Sequence, residues 1–295
     1  MITFRELLAS TLRKNRPKLS QSSVKTYTSI LLNLHKNLNG SNENVEWFRS
    51  NSPPILQHLE NKNKSTEKST LSALYVLTQN PVYQKRMNQL SKSMHEENKL
   101  QKKSEKQQEN WMSVKEIQSK YDELHNKVQQ IFKKKAIADI GVIMDYLLVA
   151  FLSGHLFPPR RNLDYALLKW KDYDKNVDNY YCRGKLYFNK YKTSDTYGLA
   201  VLKVPKELDT ILKKWLKMNP SPYVLISSNE KPLSSSQITR MLNKIFGKEV
   251  SVNMLRHIYL TNFYQDMPKL SNMETLAATM GHNVQTALEH YVKKD

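Results

Sequence analysis

Between Tyr180 and Val204 the apolar residues of this chain recur at every second position, and on both sides they recur at helical spacing. One short block of period two inside a helix-patterned chain limits the architecture severely. Lys185-Leu-Tyr-Phe-Asn-Lys-Tyr and Leu199-Ala-Val-Leu-Lys-Val read as strands joined through Thr193-Ser-Asp-Thr. The expected order is helices, a sheet, then helices. The fold class is therefore mainly α with a small antiparallel β-sheet.

The helical stretches divide further. Val24, Tyr27, Leu31, Leu34 and Leu38 follow Ser20 and Ser22, either of which can cap a helix start. Pro53 and Pro54 restart the chain before Ile55, Leu56 and Leu59, and Pro81 opens a segment after the Leu71, Leu74, Leu77 stripe. Residues 1–91 thus predict a bundle of four short helices with a basic exterior. From Lys92 to Asn110 only Met94 and Leu100 are sizeable apolar residues, too few to bury a face. Residues 92–110 read as a polar linker or a solvated helix end. A second domain, 111–295, opens with the capping box Ser113-Val-Lys-Glu116. Helical spacing then runs from Ile137 to Leu152, stops at Pro158-Pro159, and returns from Glu207 after the sheet.

Forty-six Lys and Arg against 27 Asp and Glu give a net charge of +19, spread along the chain instead of gathered in a tail. Such a surface suits a polyanion, and nucleic acid is the commonest one. The most apolar run, Val142 to Leu152, is broken by Asp145 and is too short to span a bilayer. Met-Ile-Thr-Phe-Arg-Glu at the amino terminus has no signal-peptide core, and the single cysteine, Cys182, permits no internal disulfide. These features point to an intracellular protein in a reducing compartment. No zinc spacing, Walker loop or dinucleotide fingerprint is present.

The residues that carry chemistry lie in the second domain. At about 100° per residue, Val252, Leu255, Tyr259 and Phe263 form one apolar arc. Arg256 sits inside or at the edge of it, with Asn253 one turn earlier. A guanidinium aimed at a core needs a partner. Taken alone, Arg256 reads as half of a structural salt bridge, or else as an anion site. Ser271-Asn-Met-Glu274 is a second capping box, and the helix it opens should end at Gly281, directly before His282. Tyr291 follows nine residues later, on the face of Val284 and Leu288. An isolated tyrosine on such a stripe is ordinarily a core residue. Upstream, Pro158-Pro-Arg-Arg161-Asn-Leu-Asp164 starts a helix in which Asp164 can brace Arg161. Arg160 competes with Arg161 for that position. Lys192, near the tip of the expected hairpin, carries an ammonium that can swing into a groove, and Lys190 competes with it.

In this order the pieces resemble the tyrosine recombinase, or phage-integrase, family across the carboxy-terminal two thirds of the chain. Arg161-Asn-Leu-Asp164 running on to Trp170 resembles the family's first arginine box, and Lys192-Thr193 its hairpin lysine. Leu255-Arg256-His257 is similar to the second arginine box, Gly281-His282 to the following histidine, and Tyr291 to the nucleophile. The resemblance implies a helical DNA core-binding domain at 1–91 and an α+β catalytic domain at 111–295. One departure stands out: the family usually has His or Lys where this chain has Asn253. An amide can hydrogen-bond a phosphate oxygen but exchanges no proton near neutral pH.

What the resemblance implies is phosphoryl transfer. Tyr291 attacks a DNA phosphodiester and leaves a 3′-phosphotyrosyl enzyme, with no ATP, metal or other cofactor. Arg161 and Arg256 clamp the phosphate oxygens, Lys192 protonates the leaving 5′-oxygen, His282 hydrogen-bonds the phosphoryl group and Asn253 positions it. The partner is double-stranded DNA, engaged by a homo-tetramer on paired sites and by a monomer or dimer when free. The expected role is integration or excision of a mobile or viral genome, in a host nucleus or a bacterial nucleoid. A type IB topoisomerase and a catalytically inactive DNA-binding relative are the alternatives.

Overall fold

Ser20 caps the second helix of the chain: its Oγ accepts from the Ser23 amide at 3.2 Å, and Thr3 with Glu6 forms a full capping box one helix earlier. The structure, a computed structural model, describes residues 2–134, 139–280, 283–286 and 288. Two compact units emerge. One takes the chain up to Lys102 together with the residues from Pro268, and the other takes Lys103–Met267.

In the first unit, α1 spans Phe4–Asn15, α2 Gln21–Asn37, α3 Val45–Ser50, α4 Ser52–Glu60, α5 Lys64–Thr78 and α6 Pro81–Lys99. Six helices therefore stand, among the described residues, where four were expected. The two extra ones are α1, in which only Leu8 and Leu12 are fully buried, and α3, six residues fixed by the Asn44 cap. Leu31, Phe48, Ile55, Leu71, Leu74, Leu77 and Tyr83 form the core of this unit, and the Tyr83 hydroxyl donates to the Phe48 carbonyl at 2.6 Å. The polar stretch after residue 91 is largely helical. Its first half is the end of α6, and a Ser104–Gln107 capping box opens α7 at Glu105–Asn110.

The second unit is built around one helix. It contains α7 and, after it, α8 (Val114–Lys134), α9 (Ile140–Leu152), α10 (Asn162–Ala166), α11 (Ser194–Tyr197), α12 (Lys206–Met218), α13 (Ser235–Phe246) and α14 (Val252–Phe263). The Ser113–Glu116 capping box forms in full at the start of α8, with three hydrogen bonds of 2.7–3.2 Å. Every residue of α9 from Ile143 to Leu152 except Asp145 is buried, as expected for a helix apolar on all sides. The stripe Ile117-Tyr121-Leu124-Val128 of α8 packs against it, and Leu208-Ile211-Leu212-Trp215 of α12 belong to the same core. The start expected at Ile137 lies outside the described residues. The end comes at Leu152, before the prolines, because Gly154 turns the chain at φ +85° and the Tyr259 ring of α14 lies where any side chain would go.

The sheet has the order β1-β2-β3 and is antiparallel throughout: β1 is Tyr180–Cys182, β2 Lys185–Phe188 and β3 Ala200–Lys203. Tyr180 faces Tyr187, and Leu186 faces both Tyr181 and Leu202. The long middle strand expected as far as Tyr191 stops at Phe188, since the chain from Asn189 leaves the ladder to bond with Asn179 and Asp178.

After Met267 the chain forms α15, Leu270–Thr279, which belongs to the first unit. The capping box expected at Ser271 does not form. Ser271 lies inside the helix, Lys269 is the cap residue, and no side chain caps the start. Instead the Leu270 amide donates to Gln101 Oε1 at 3.0 Å, and Glu274 pairs with Lys99 at 3.4 Å, so the box glutamate is spent elsewhere. Among the described residues, no helix is long and apolar enough to cross a membrane.

Candidate functional site

Tyr165 anchors the site from below. It is fully buried on α10, stacks on Phe151 of α9 at 5.0 Å between ring centres and meets Phe188 of β2 edge-on at 5.4 Å. This aromatic joint fixes a five-residue helix that has little stability of its own. The residues before it, Pro158 to Arg161, are thereby held at the surface of the second unit.

A buried asparagine ties the opposite wall to the same helix. Asn179, 4% exposed, donates to the Asp164 carbonyl at 2.9 Å and to the Lys190 carbonyl at 2.8 Å, and accepts from the Lys190 amide at 2.8 Å. The connection between β2 and β3 is thus stapled to α10. The third wall is α14. Its buried residues are Val252, Met254, Leu255 and Ile258, while Tyr259 is half-buried and Phe263 is 65% exposed. The apolar arc is therefore centred nearer Leu255 and Ile258 than the spacing Val252-Leu255-Tyr259-Phe263 suggests. Arg256 falls at its edge, half-buried.

These walls enclose a cleft of about 370 Å³. Arg160, Arg161 and Arg256 line it with Tyr191, Thr193 and Tyr197, and Asp164, Ala200 and the two prolines complete it. Among the described residues, three guanidinium groups thus share a space with a single carboxylate. That carboxylate is already engaged: Arg160 Nε donates to Asp164 Oδ2 at 2.9 Å, with the Asp164 side chain 3% exposed. Arg160 is further clamped between the rings of Phe188 and Tyr191, at 4.5 and 4.6 Å from their centres. Burial pushes the Asp164 carboxyl above its ordinary range, and the charges of Arg160, Arg161 and Arg256 oppose that push. Among the described residues, neither Arg161 nor Arg256 has an ion pair or a side-chain hydrogen bond. The salt bridge that Arg256 alone would suggest is absent among them.

The bracing differs from the expectation in one respect. Asp164 holds Arg160, four residues before it, not Arg161. One helical turn of separation lets the Arg160 side chain lie back over the aromatic pair, whereas Arg161, at the cap position of α10, leaves the helix in extended conformation.

Of the sequence-derived residues, Arg161 and Arg256 come together in the cleft. Lys192 is exposed on the β2–β3 connection, between the cleft residues Tyr191 and Thr193 and four positions beyond the end of β2. Lys190 is also exposed, but its backbone is fixed by Asn179. Asn253 is exposed on α14, one turn before Arg256, and does not line the cleft. His282 and Tyr291 lie outside the described residues. Sequence reasoning missed Asn179 and Tyr197. Asn179 betrays its role only through burial, and Tyr197 only through its place beside three arginines that are far off in sequence.

Chemically, the cleft is an anion site. Two unpaired guanidinium groups and a threonine suit the oxygens of a phosphate, and planar N–H forks make short, charge-assisted bonds to such groups.

No family model matches the chain, and no curated protein does. Among solved structures it is similar to lambda integrase (residues 75–356) seen as a dimer bound to a COC′ core site. The identity is 13%, over 99% of this chain and 96% of that one, with a TM-score of 0.49. It is also similar to lambda integrase (residues 75–356) bound to DNA, at 14% identity over 90% and 89% and a TM-score of 0.47. A third is XerA recombinase, at 14% identity over 99% and 94% and a TM-score of 0.37.

Proposed function

We propose that the cleft receives a DNA phosphodiester and that the chain is a DNA strand-transferase, a site-specific recombinase that cuts and rejoins DNA through a phosphotyrosine. The observation that carries this reading is the charge of the cleft: three guanidinium groups from two distant segments, with the one carboxylate committed to Arg160. The ordered motifs from Arg161 to Tyr291 add the chemistry.

In this reading Arg161 and Arg256 bind the non-bridging oxygens and stabilise the charge that grows on them in the transition state. Arg160 is a positioning residue, which the Asp164 bridge and its two aromatic neighbours hold in the wall. The Tyr291 phenol oxygen forms a bond to phosphorus as the P–O5′ bond breaks. Its proton leaves to solvent, and the departing 5′-oxygen takes a proton from Lys192 on the exposed connection. His282 hydrogen-bonds the phosphoryl group. Asn253 offers an amide from the turn before Arg256 without joining the proton traffic. Attack by a 5′-hydroxyl of a partner strand reverses the step, and the ester conserves the bond energy. Exchange between two duplexes requires several protomers, in the fullest form a tetramer on paired sites. Integration or excision of a mobile or viral genome is the setting this chemistry fits.

The test is a nicked suicide duplex, on which the leaving strand diffuses away after cleavage. The expected result is a denaturation-resistant protein–DNA adduct with the wild-type chain and none with Tyr291→Phe. Equal, negligible adduct from both would overturn the enzyme and leave a DNA-binding protein.

A further inference from the structure

Tyr197 has no part in the mechanism above, yet the structure places it at the cleft with some care. It lines the same space as Arg160, Arg161 and Arg256 and is 75% exposed. Exposed aromatic residues are common, so exposure alone carries little. What sets this one apart is how tightly its backbone is held. The Tyr197 amide donates to the Thr193 carbonyl at 3.1 Å, and the Gly198 amide donates to the Ser194 carbonyl at 2.8 Å. The Tyr191 hydroxyl then donates to the Gly198 carbonyl at 2.7 Å, locking the end of the turn. Gly198 itself adopts φ +65° and ψ −152°, a conformation that residues with side chains rarely take. Nothing lies within 4 Å of where its Cβ would be, so glycine is required by the backbone and not by packing. The connection therefore adopts a glycine-only bend that presents a phenol beside a cationic cleft. Among the described residues its hydroxyl has no hydrogen-bond partner.

Resting on the DNA reading given above, we propose that Tyr197 is a substrate contact: its ring packs against the deoxyribose of the nucleotide that flanks the phosphodiester held by the arginines. In an intact duplex the groups on either side of a backbone phosphate are sugars, while the bases are stacked inside. A ring at the rim of the phosphate cleft therefore meets a sugar first. Such a contact is apolar and indifferent to base identity. It fixes where along the strand the phosphate enters the cleft.

The experiment measures binding of the full chain to a labelled duplex across a salt series, by fluorescence anisotropy. The variants are Tyr197→Ala, Tyr197→Phe and Arg161→Ala. Tyr197→Ala should bind about tenfold more weakly, equivalent to about 1.4 kcal/mol. Its salt slope should match wild type, because no phosphate contact is lost. Tyr197→Phe keeps the ring and should match wild type in both respects. Arg161→Ala should flatten the slope by about one unit. The Tyr197→Ala loss should be equal on dA·dT and dG·dC homopolymer duplexes. A loss confined to one of them, full affinity in Tyr197→Ala, or equal losses in the Phe and Ala variants would each overturn the sugar contact while leaving the DNA reading intact. A wild-type chain that bound no DNA would overturn both.

Discussion

Arg160 and Arg161 are neighbours in the chain and share a cleft, yet one is paired and the other is not among the described residues, and alanine at each separates them. Arg160→Ala removes the only ion pair that Asp164, a carboxylate 3% exposed, has among the described residues, and two ring contacts at 4.5 and 4.6 Å. Breaking a buried pair from one side costs about 3–5 kcal/mol, because the remaining carboxylate loses its hydrogen-bonded partner and keeps only the more distant charges of Arg161 and Arg256. For a unit of this size each kcal/mol lowers Tm by about 2–4 °C, so a fall of roughly 6–20 °C is expected. Arg161→Ala breaks no ion pair, and its cost should stay within about 0.5 kcal/mol, under roughly 2 °C. Binding should show the reverse ranking per unit of lost stability. Loss of Arg161 removes a charge-assisted contact worth about 1.5–3 kcal/mol to a bound phosphate. The pH dependence provides an internal control. Burial raises the Asp164 carboxyl in the wild-type chain, and removal of Arg160 raises it further. A carboxyl with a raised folded-state pKa binds its proton more tightly in the native chain, so its favourable contribution is present at low pH and lost as pH rises through that pKa. The Arg160→Ala penalty should therefore shrink when thermal unfolding is repeated at about pH 5 instead of about pH 8. Equal melting temperatures for the two variants, or a penalty independent of pH, would refute the assignment of Arg160 as the braced residue and Arg161 as the free one.

Asn179→Ala removes three hydrogen bonds that join α10 to the β2–β3 connection, and one buried amide cost of about 1–3 kcal/mol should appear in thermal unfolding. The same variant should weaken DNA binding although no charge changes, which anisotropy can check. Gly154→Ala places a Cβ 2.6 Å from the Tyr259 ring at φ +85°, so it should destabilise the second unit by about 1–3 kcal/mol, read as a lowered denaturation midpoint at unchanged slope. Lys192→Ala should leave stability within about 0.5 kcal/mol, since the residue is exposed and has no ion pair among the described residues, while slowing adduct formation about 10²–10⁴-fold; a substrate with a better leaving group at the 5′ position should restore most of that loss.

Much of this architecture is legible before any coordinates. The switch from helical spacing to period two at Tyr180 locates the sheet, and the Ser113 box starts α8 as expected, because both signals are local. Signals that depend on a partner elsewhere fail. Ser271 reads as a cap and is not one, since the helix already starts at Leu270, whose amide donates to Gln101, and the Glu274 carboxylate pairs with Lys99 instead of reaching back. The helix α1 shows only Leu8 and Leu12 as buried residues and needs its neighbours to be visible. That Arg161 and Arg256 line one cleft agrees with the order of the motifs they sit in. The pairing of Asp164 with Arg160 is not legible in the sequence, because the choice between i, i+3 and i, i+4 is made by Phe188 of β2 and Tyr191 of the connection that follows it. Asn179 and Tyr197 act through burial and placement, and neither property is written in adjacent residues.

In the proposed reaction Arg161 and Arg256 answer the negative charge of one scissile phosphate. The direct measurement is the rate of adduct formation on a nicked duplex whose scissile phosphate is either native or an uncharged methylphosphonate. Arg161→Ala and Arg256→Ala should each lose about 10²–10³-fold on the native phosphate and recover most of that loss on the methylphosphonate, where there is no charge left to stabilise. The same fold-loss on both substrates would contradict it.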